Sequence, residues 1–238
     1  MIVIPMLGKS SRFFDAGYEL PKYQLPLGNG TVFSESVKSF RAHFNDELFV
    51  FLIRSDFDAR KFITSEVKVL GIKSFRLVEF SDETLGQADS VFKGTSDYSD
   101  DISIIVFNID TIRRGFTIPS DGEFRDGFLE VFNGEGNAWS FVQKDDENNV
   151  IQTAEKRRIS NLCSNGMYGF KRLGDFREAY LQRSEKDLET YGEIYIAPLY
   201  NQLIAKGFNI RCIELEEGVT MNCGTPEQYE KLKITLER

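Results

Sequence analysis

The order of hydrophobic and polar positions changes character near residue 135. Residues 1–4 read as a short apolar strand, and the largely apolar runs at 48–53 and 102–107 predict strands buried on both faces, as in a parallel sheet. Residues 75–80 alternate like a further strand. Between these runs, apolar residues recur at helical spacing over about 57–70 (Phe57, Ile63, Val67, Leu70) and 86–94, and Phe33, Val37, Phe40 and Phe44 share one helix face. Strands alternating with helices over the first 110 residues predict a doubly wound α/β core. From about 139 the strands shorten. The segments 139–143, 150–154 and 167–170 are separated by polar turns such as 145–149, and helical patterns follow at 174–187, 193–206 and 225–236. This second part reads as a small α+β insertion on the same core.

At 238 residues the chain can bury one sizeable core. We read 1–238 as a single domain, with 1–135 as the core and 136–238 as the insertion and C-terminal helices. The 21 phenylalanines predict a well-packed interior. A net charge of −8 argues against nonspecific nucleic-acid binding. No stretch approaches the roughly 18 apolar residues of a membrane span, and no basic region precedes the first apolar run, so a cytoplasmic protein without a membrane partner is expected. Cys163, Cys212 and Cys223 are scattered and odd in number, which fits reduced thiols rather than a disulfide frame or a zinc site. The one histidine, His43, lies on a predicted amphipathic helix and reads as a surface or edge residue, so chemistry on a histidine base is not expected. The sequence leaves homo-oligomerisation open.

Candidate chemistry concentrates in the first 27 residues. The first strand runs into a small-residue turn, Leu7-Gly8-Lys9-Ser10-Ser11, and then a predicted helix, an arrangement whose free N–H groups suit phosphate. Arg12 and Lys22 supply cations for several phosphate charges. Gly8-Lys9-Ser10 imitates the end of a P-loop, but Val3 stands where that motif needs glycine, and a single glycine does not make a dinucleotide fingerprint. Taken alone, the segment reads equally well as an ordinary strand–turn–helix with a surface arginine. Asn108-Ile109-Asp110 follows the 102–107 run, where open α/β sheets place their ligands. Asp110 suits Mg²⁺ there, or caps a turn.

Pro5-Met6, Gly8, Ser11-Arg12-Phe13, Gly17-Tyr18 and Pro21-Lys22 together resemble the signature of the nucleotide-sugar pyrophosphorylase (nucleotidyltransferase) family, in its short capsule-cluster form. Leu7 replaces the usual alanine and Ser10 the second glycine, where a Cβ costs energy if positive φ is required. Further elements follow in order. The 83–91 segment, with Thr84, Gly86 and Gln87, resembles the family's contact to base and ribose; Thr84 also reads as a helix N-cap. Glu155-Lys156 resembles the pair whose lysine holds the α-phosphate or the acceptor phosphate, although the basic run 156–158 alone reads as a solvated face. Ser164-Asn165-Gly166-Met167-Tyr168 resembles the acceptor-pocket lining. Glu193 falls at an acidic acceptor contact, and alone reads as a helix-start glutamate. Asn222-Cys223-Gly224-Thr225-Pro226-Glu227 resembles the last motif, with Asn222 in place of the second metal-binding aspartate; an amide oxygen can ligate Mg²⁺ but brings no charge.

The resemblance implies a Rossmann-like, GT-A-type sheet and nucleotidyl transfer from an NTP to a phosphorylated small molecule. It places Asp110 and Asn222 on Mg²⁺, and Arg12, Lys22 and Lys156 on the phosphates. Leu7, Gly8, Ser10, Ser11, Thr84, Gly86, Gln87 and Asn108 would bind the NTP, and Glu155, Asn165, Gly166 and Glu193 the acceptor. The missing C-terminal extension and the Gly86-Gln87-Ala88 segment incline the reading to CTP, and the branch inclines it to cell-surface polysaccharide synthesis. Two alternatives stay open: a glycosyltransferase using 108–110 as a degenerate D-x-D motif, and a noncatalytic nucleotide-binding regulator.

Overall fold

The computed structural model describes residues 1–236, apart from the side chains of 185–187. Its strands are β1 (Ile2–Pro5), β2 (Pro26–Leu27), β3 (Gly30–Thr31), β4 (Leu48–Arg54), β5 (Ser74–Phe80), β6 (Ile104–Phe107), β7 (Thr111–Arg113), β8 (Gly127–Asn133), β9 (Ser140–Lys144), β10 (Val150–Glu155), β11 (Leu162–Phe170), β12 (Ile210–Glu214) and β13 (Thr220–Asn222). The α-helices are α1 (Ser11–Asp15), α2 (Val32–Val37), α3 (Ala59–Leu70), α4 (Gln87–Gly94), α5 (Asp121–Phe124), α6 (Leu173–Leu181), α7 (Glu185–Tyr191), α8 (Tyr200–Ala205) and α9 (Pro226–Leu236).

Four parallel strands in the order β5-β4-β1-β6 make the heart of a nine-stranded sheet. Val3 pairs with Val50 on one side and Val106 on the other. The alternation along β1 divides its side chains between two cores. Val3 packs under α4, α6 and α8, whereas Ile2 and Ile4 join the phenylalanine-rich cluster of Phe33, Phe40, Phe49, Phe51 and Phe107. Burial on both faces is why this strand reads as an unbroken apolar run. The second half of the chain continues the same sheet: β11 lies antiparallel beside β6, with β8 and then β12 beyond it, and the β9–β10 hairpin extends it at the edge.

Chain order moves outward from β1 through β4 to β5 and then returns to β6 on the other flank of β1. The switch point therefore lies between the carboxyl ends of β1 and β6, where such sheets bind ligands. A third, smaller core of Phe13, Leu25, Leu27, Val32, Ile112, Cys223, Tyr229 and Leu232 packs α9 against the opening loop.

Three predicted helices differ from the structure. The pattern that joins Phe33 to Phe44 is α2 followed by a 3₁₀ stretch (Lys38–His43) that leaves helical geometry at Phe40. The 174–187 pattern is two helices, α6 and α7, broken at 182–184. Within 193–206 the α-helix starts only at Tyr200, because Pro198 sits in a 3₁₀ turn (Ala197–Leu199) and cannot occupy a helix interior. Residues 193–196 are consequently non-helical, with Ile194 and Ile196 buried in the main core. No helix among the described residues is long and apolar enough to cross a membrane.

Candidate functional site

At the switch point the opening loop, Lys22 and Asp110 converge. Ser10 takes the left-handed conformation (φ 55°, ψ 25°), and its carbonyl accepts the first hydrogen bonds of α1, from the Phe13 and Phe14 N–H groups at 2.9 and 3.2 Å. The backbone thus adopts at a serine the positive φ that favours glycine. The Ser10 hydroxyl accepts the Lys22 N–H at 3.1 Å. Lys22 Nζ then reaches Asp110 Oδ2 at 2.5 Å, with both side chains about four-fifths buried. Gly224 backs this carboxylate, since a Cβ there would stand 3.1 Å from Asp110 Oδ2. Cys223 donates its N–H to the Asp110 carbonyl at 2.8 Å, and burial pushes its thiol up to about 12, which leaves it unreactive. Asn222 Oδ1 accepts from the Thr111 hydroxyl at 3.2 Å.

Among the described residues no cluster of three carboxylates, thiols or imidazoles forms a metal cage. The donor set of one carboxylate and one amide oxygen fits a magnesium ion held mainly by phosphate oxygens and water, the usual arrangement at phosphate-binding sites. Asp110 and Asn222 are the residues that would hold it.

On the side predicted for the base and ribose, Gly86 adopts φ 116°, ψ −173°. Its missing side chain lets two chain segments touch: a Cβ would lie 2.6 Å from Ile194 N and 3.0 Å from Ile194 O. The Ile194 N–H donates to Leu85 O at 2.6 Å, and the Ala88 N–H donates to Ile194 O at 3.0 Å. Gly86, not Thr84, is the N-cap of α4, and the Thr84 hydroxyl instead pairs with Ser90 Oγ at 2.7 Å. Buried Asp89 fastens the segment from below, accepting from Leu85 N–H (2.8 Å), Lys93 (2.7 Å) and the Tyr180 hydroxyl (2.6 Å). Burial works against its charge, but these hydrogen bonds prevail and hold the carboxyl below its ordinary range. Gln87 donates its amide to Asn108 Oδ1, and the Asn108 N–H donates to the Gly166 carbonyl at 3.2 Å. Gly166 (φ 89°) lies so close to the Asn108 amide that a side chain there would collide with it.

Glu155, Lys156 and Glu193 form a third group. Lys156 sits with φ 50° at the end of β10, its Nζ 2.7 Å from the Tyr195 hydroxyl and over the Tyr195 ring at 4.8 Å. Burial alone would lower its pKa; the Tyr195 hydrogen bond, with Glu155 and Glu193 nearby, raises it, so the lysine stays charged. Glu155 is buried and receives the Ser140 hydroxyl, and its burial raises the carboxyl above the usual range despite that bond and Lys156.

Arg12 is exposed beside α9, where it adds to the backbone and Thr225 hydrogen bonds that hold Glu227 below its ordinary pKa. Asn165 is buried and its amide is taken up: Nδ2 donates to Glu130 at 2.9 Å and Oδ1 accepts the Met167 N–H at 3.0 Å. Glu130 is also paired in bidentate fashion with Arg113, so Asn165 supports the site from beneath. Leu7 packs against the main core, and Gly8 and Ser11 line a cavity of about 230 Å³ with Lys9, Tyr23, Arg54 and Asp56. Sequence reasoning missed Tyr195, Thr111 and the Arg54–Asp56 pair, whose importance depends on contacts far along the chain. His43 is remote chemistry: its Nε2 accepts the Ile118 N–H at 3.2 Å.

No family model and no curated protein matches this sequence. Solved structures do. A nucleoside-diphosphate-sugar pyrophosphorylase from Vibrio cholerae RC9 is 44% identical, with a TM-score of 0.92 over 98% of this chain and 100% of that one. An inositol-1-phosphate CTP transferase from T. maritima matches at 15% identity and TM-score 0.74, covering 100% of this chain and 96% of that one. A UDP-glucose pyrophosphorylase from Acinetobacter baumanii matches at 16% and 0.70, covering 98% and 92%. The last two share the fold. With 44% identity along essentially its whole length, the chain belongs to the nucleoside-diphosphate-sugar pyrophosphorylase family of nucleotidyltransferases.

Proposed function

We propose that this protein transfers a nucleotidyl group from an NTP to the phosphate of a small phosphorylated acceptor and releases pyrophosphate. The observation that carries the reading is the meeting of the opening loop, Lys22 and Asp110 at the switch point of the sheet. An acceptor phosphate monoester is already ionised near neutral pH, so its oxygen can attack the α-phosphorus in line without a general base. A chain whose single histidine lies elsewhere agrees with that chemistry. Catalysis then rests on positioning and on neutralising charge.

In this reading the amides around Gly8 and Ser11, with Arg12, steady the leaving pyrophosphate. Lys22 turns from Asp110 to the triphosphate when nucleotide enters. Lys156, kept charged by Tyr195, aligns the acceptor phosphate, and Glu193 and Glu155 sit where the rest of the acceptor lies. Magnesium, when bound at Asp110 and Asn222, supplies further neutralisation of the phosphates. Gln87 and Asn108 stand on the nucleoside side. We favour CTP as donor, a sugar or non-sugar phosphate as acceptor, and cell-surface polysaccharide synthesis in the cytoplasm as the setting.

The test is a pyrophosphate-release screen of four NTPs against phosphorylated sugars, polyols and amines. Pyrophosphate should appear only when one NTP and one acceptor are both present, and Lys22→Ala or Asp110→Ala should lower turnover on the order of 10²–10³-fold. Release of nucleoside diphosphate instead, or no turnover with any pair, would overturn the assignment.

A further inference from the structure

Ser10 holds a conformation that suits glycine, and its side chain has a use that glycine lacks. Lys22 opens a 3₁₀ turn, Lys22–Gln24, directly after Pro21. As the first N–H of that turn it has no acceptor within the turn, and such donors look for a side-chain oxygen. The Ser10 hydroxyl is that oxygen, at 3.1 Å. The bond spans 12 positions and closes the base of the loop that carries Ser11 and Arg12. On the far side of the same residue, Lys22 Nζ is 2.5 Å from Asp110.

Resting on the proposed nucleotidyl transfer, we infer that Ser10 is a positioning residue: its hydroxyl fixes the Lys22 backbone, and so aims the lysine at the phosphate site. A glycine would relax the backbone at position 10 but leave the Lys22 N–H without this acceptor. The Ser10 proton is left over, and among the described residues the hydroxyl has no other hydrogen-bond partner. Direct donation to a phosphate is therefore the rival role, and it makes a different prediction.

Four variants and three readouts separate these roles. Ser10→Gly should melt within about 2 °C of the native protein, because glycine takes φ 55° without strain and offsets that gain with a looser unfolded chain. Hydrogen exchange at the Lys22 amide should speed up by about tenfold, the loss of one neutral hydrogen bond. The value of kcat/KM for the NTP should fall by a similar factor. Ser10→Asn tolerates the left-handed conformation and carries an acceptor oxygen, so it should restore most of both. In a Lys22→Met background, Ser10→Gly should cost less than about twofold, since a residue acting through Lys22 has nothing left to position.

Unchanged exchange at Lys22 in Ser10→Gly would overturn the inference. So would an undiminished tenfold loss in the Lys22→Met background, which would make Ser10 a direct phosphate contact. The exchange readout needs no turnover. Faster exchange in Ser10→Gly, in a protein that yields no pyrophosphate, would support the tether and count against the proposed function alone.

Discussion

Replacing Gly86 by alanine tests whether the nucleotide and acceptor sides are built as one unit. The backbone at φ 116°, ψ −173° is a region essentially confined to glycine, and holding alanine there costs of order 1–3 kcal/mol. The new methyl group would stand 2.6 Å from Ile194 N and 3.0 Å from Glu193 Cβ, so the 193–194 segment must move away. That movement weakens two backbone hydrogen bonds, Ile194 N–H to Leu85 O and Ala88 N–H to Ile194 O, each with a net value of about 0.5–1.5 kcal/mol. Together these effects come to about 2–6 kcal/mol. For a chain of this length, about 4 kcal/mol corresponds to a drop of roughly 8–16 °C in Tm. Part of the strain can instead be relieved by local opening, which hydrogen exchange detects as lost protection at Ile194 and Ala88. Glu193 and Tyr195 move with this segment, so the acceptor KM should rise more than the NTP KM. A Gly86→Ala protein with native Tm, native exchange at Ile194 and Ala88, and native acceptor KM would refute this reasoning.

Three further outcomes are expected. Asn222→Asp adds the charge that the position lacks and should tighten Mn²⁺ about tenfold in the presence of nucleotide, as measured by electron paramagnetic resonance. Glu155→Gln should raise Tm at pH 7 while weakening acceptor binding. Burial raises the Glu155 pKa, so the native carboxyl favours the fold when protonated below its ordinary pKa and loses that advantage as pH climbs through the raised value; the gain in the variant should shrink toward pH 4. His43 runs the other way. Burial depresses its pKa, so its contribution is intact above the ordinary value of 6.5 and is lost as pH falls toward the folded value. Urea titrations at pH 7.5 and 5.5 should show a loss that His43→Gln reduces.

The parallel core was legible because a strand buried on both faces cannot hide its apolar run, as 48–53 shows for β4, and because the half-exposed edge strand β5 keeps the alternation of 75–80; both match within a residue. β8 escaped notice because Glu130 interrupts Gly127–Asn133, and only the fold shows that Arg113 and Asn165 satisfy this buried charge. β12 reads as a weak alternation and becomes a strand through parallel pairing with β8. At the site, Lys22, Asp110 and Gly224 could be named from motifs, since each motif is a local turn. The partners that give them meaning could not. Tyr195 meets Lys156 across 39 positions and Asn165 turns its amide inward to Glu130, and no spacing in the sequence records either fact.

The parts of the proposed phosphate site lie in three separate stretches, at 8–22, 110 and 222–224, and one small apolar cluster unites them. Phe13 follows Arg12, Leu25 and Leu27 follow Lys22, Ile112 follows Asp110, and Cys223 lies between Asn222 and Gly224; all four neighbourhoods pack with Tyr229 of α9. Phe13, Tyr18 and Tyr229 meet edge to face, the Tyr229 hydroxyl donates to Pro26 O at 2.6 Å, and the Tyr18 hydroxyl donates to Glu230 at 2.6 Å. A loop that must present amides and cations to a highly charged ligand gains rate only if it is held before the ligand arrives. Here the last helix does the holding. Losses of packing at Tyr229 should therefore appear first in turnover, at a site this residue is placed to shape from behind, and only then in overall stability.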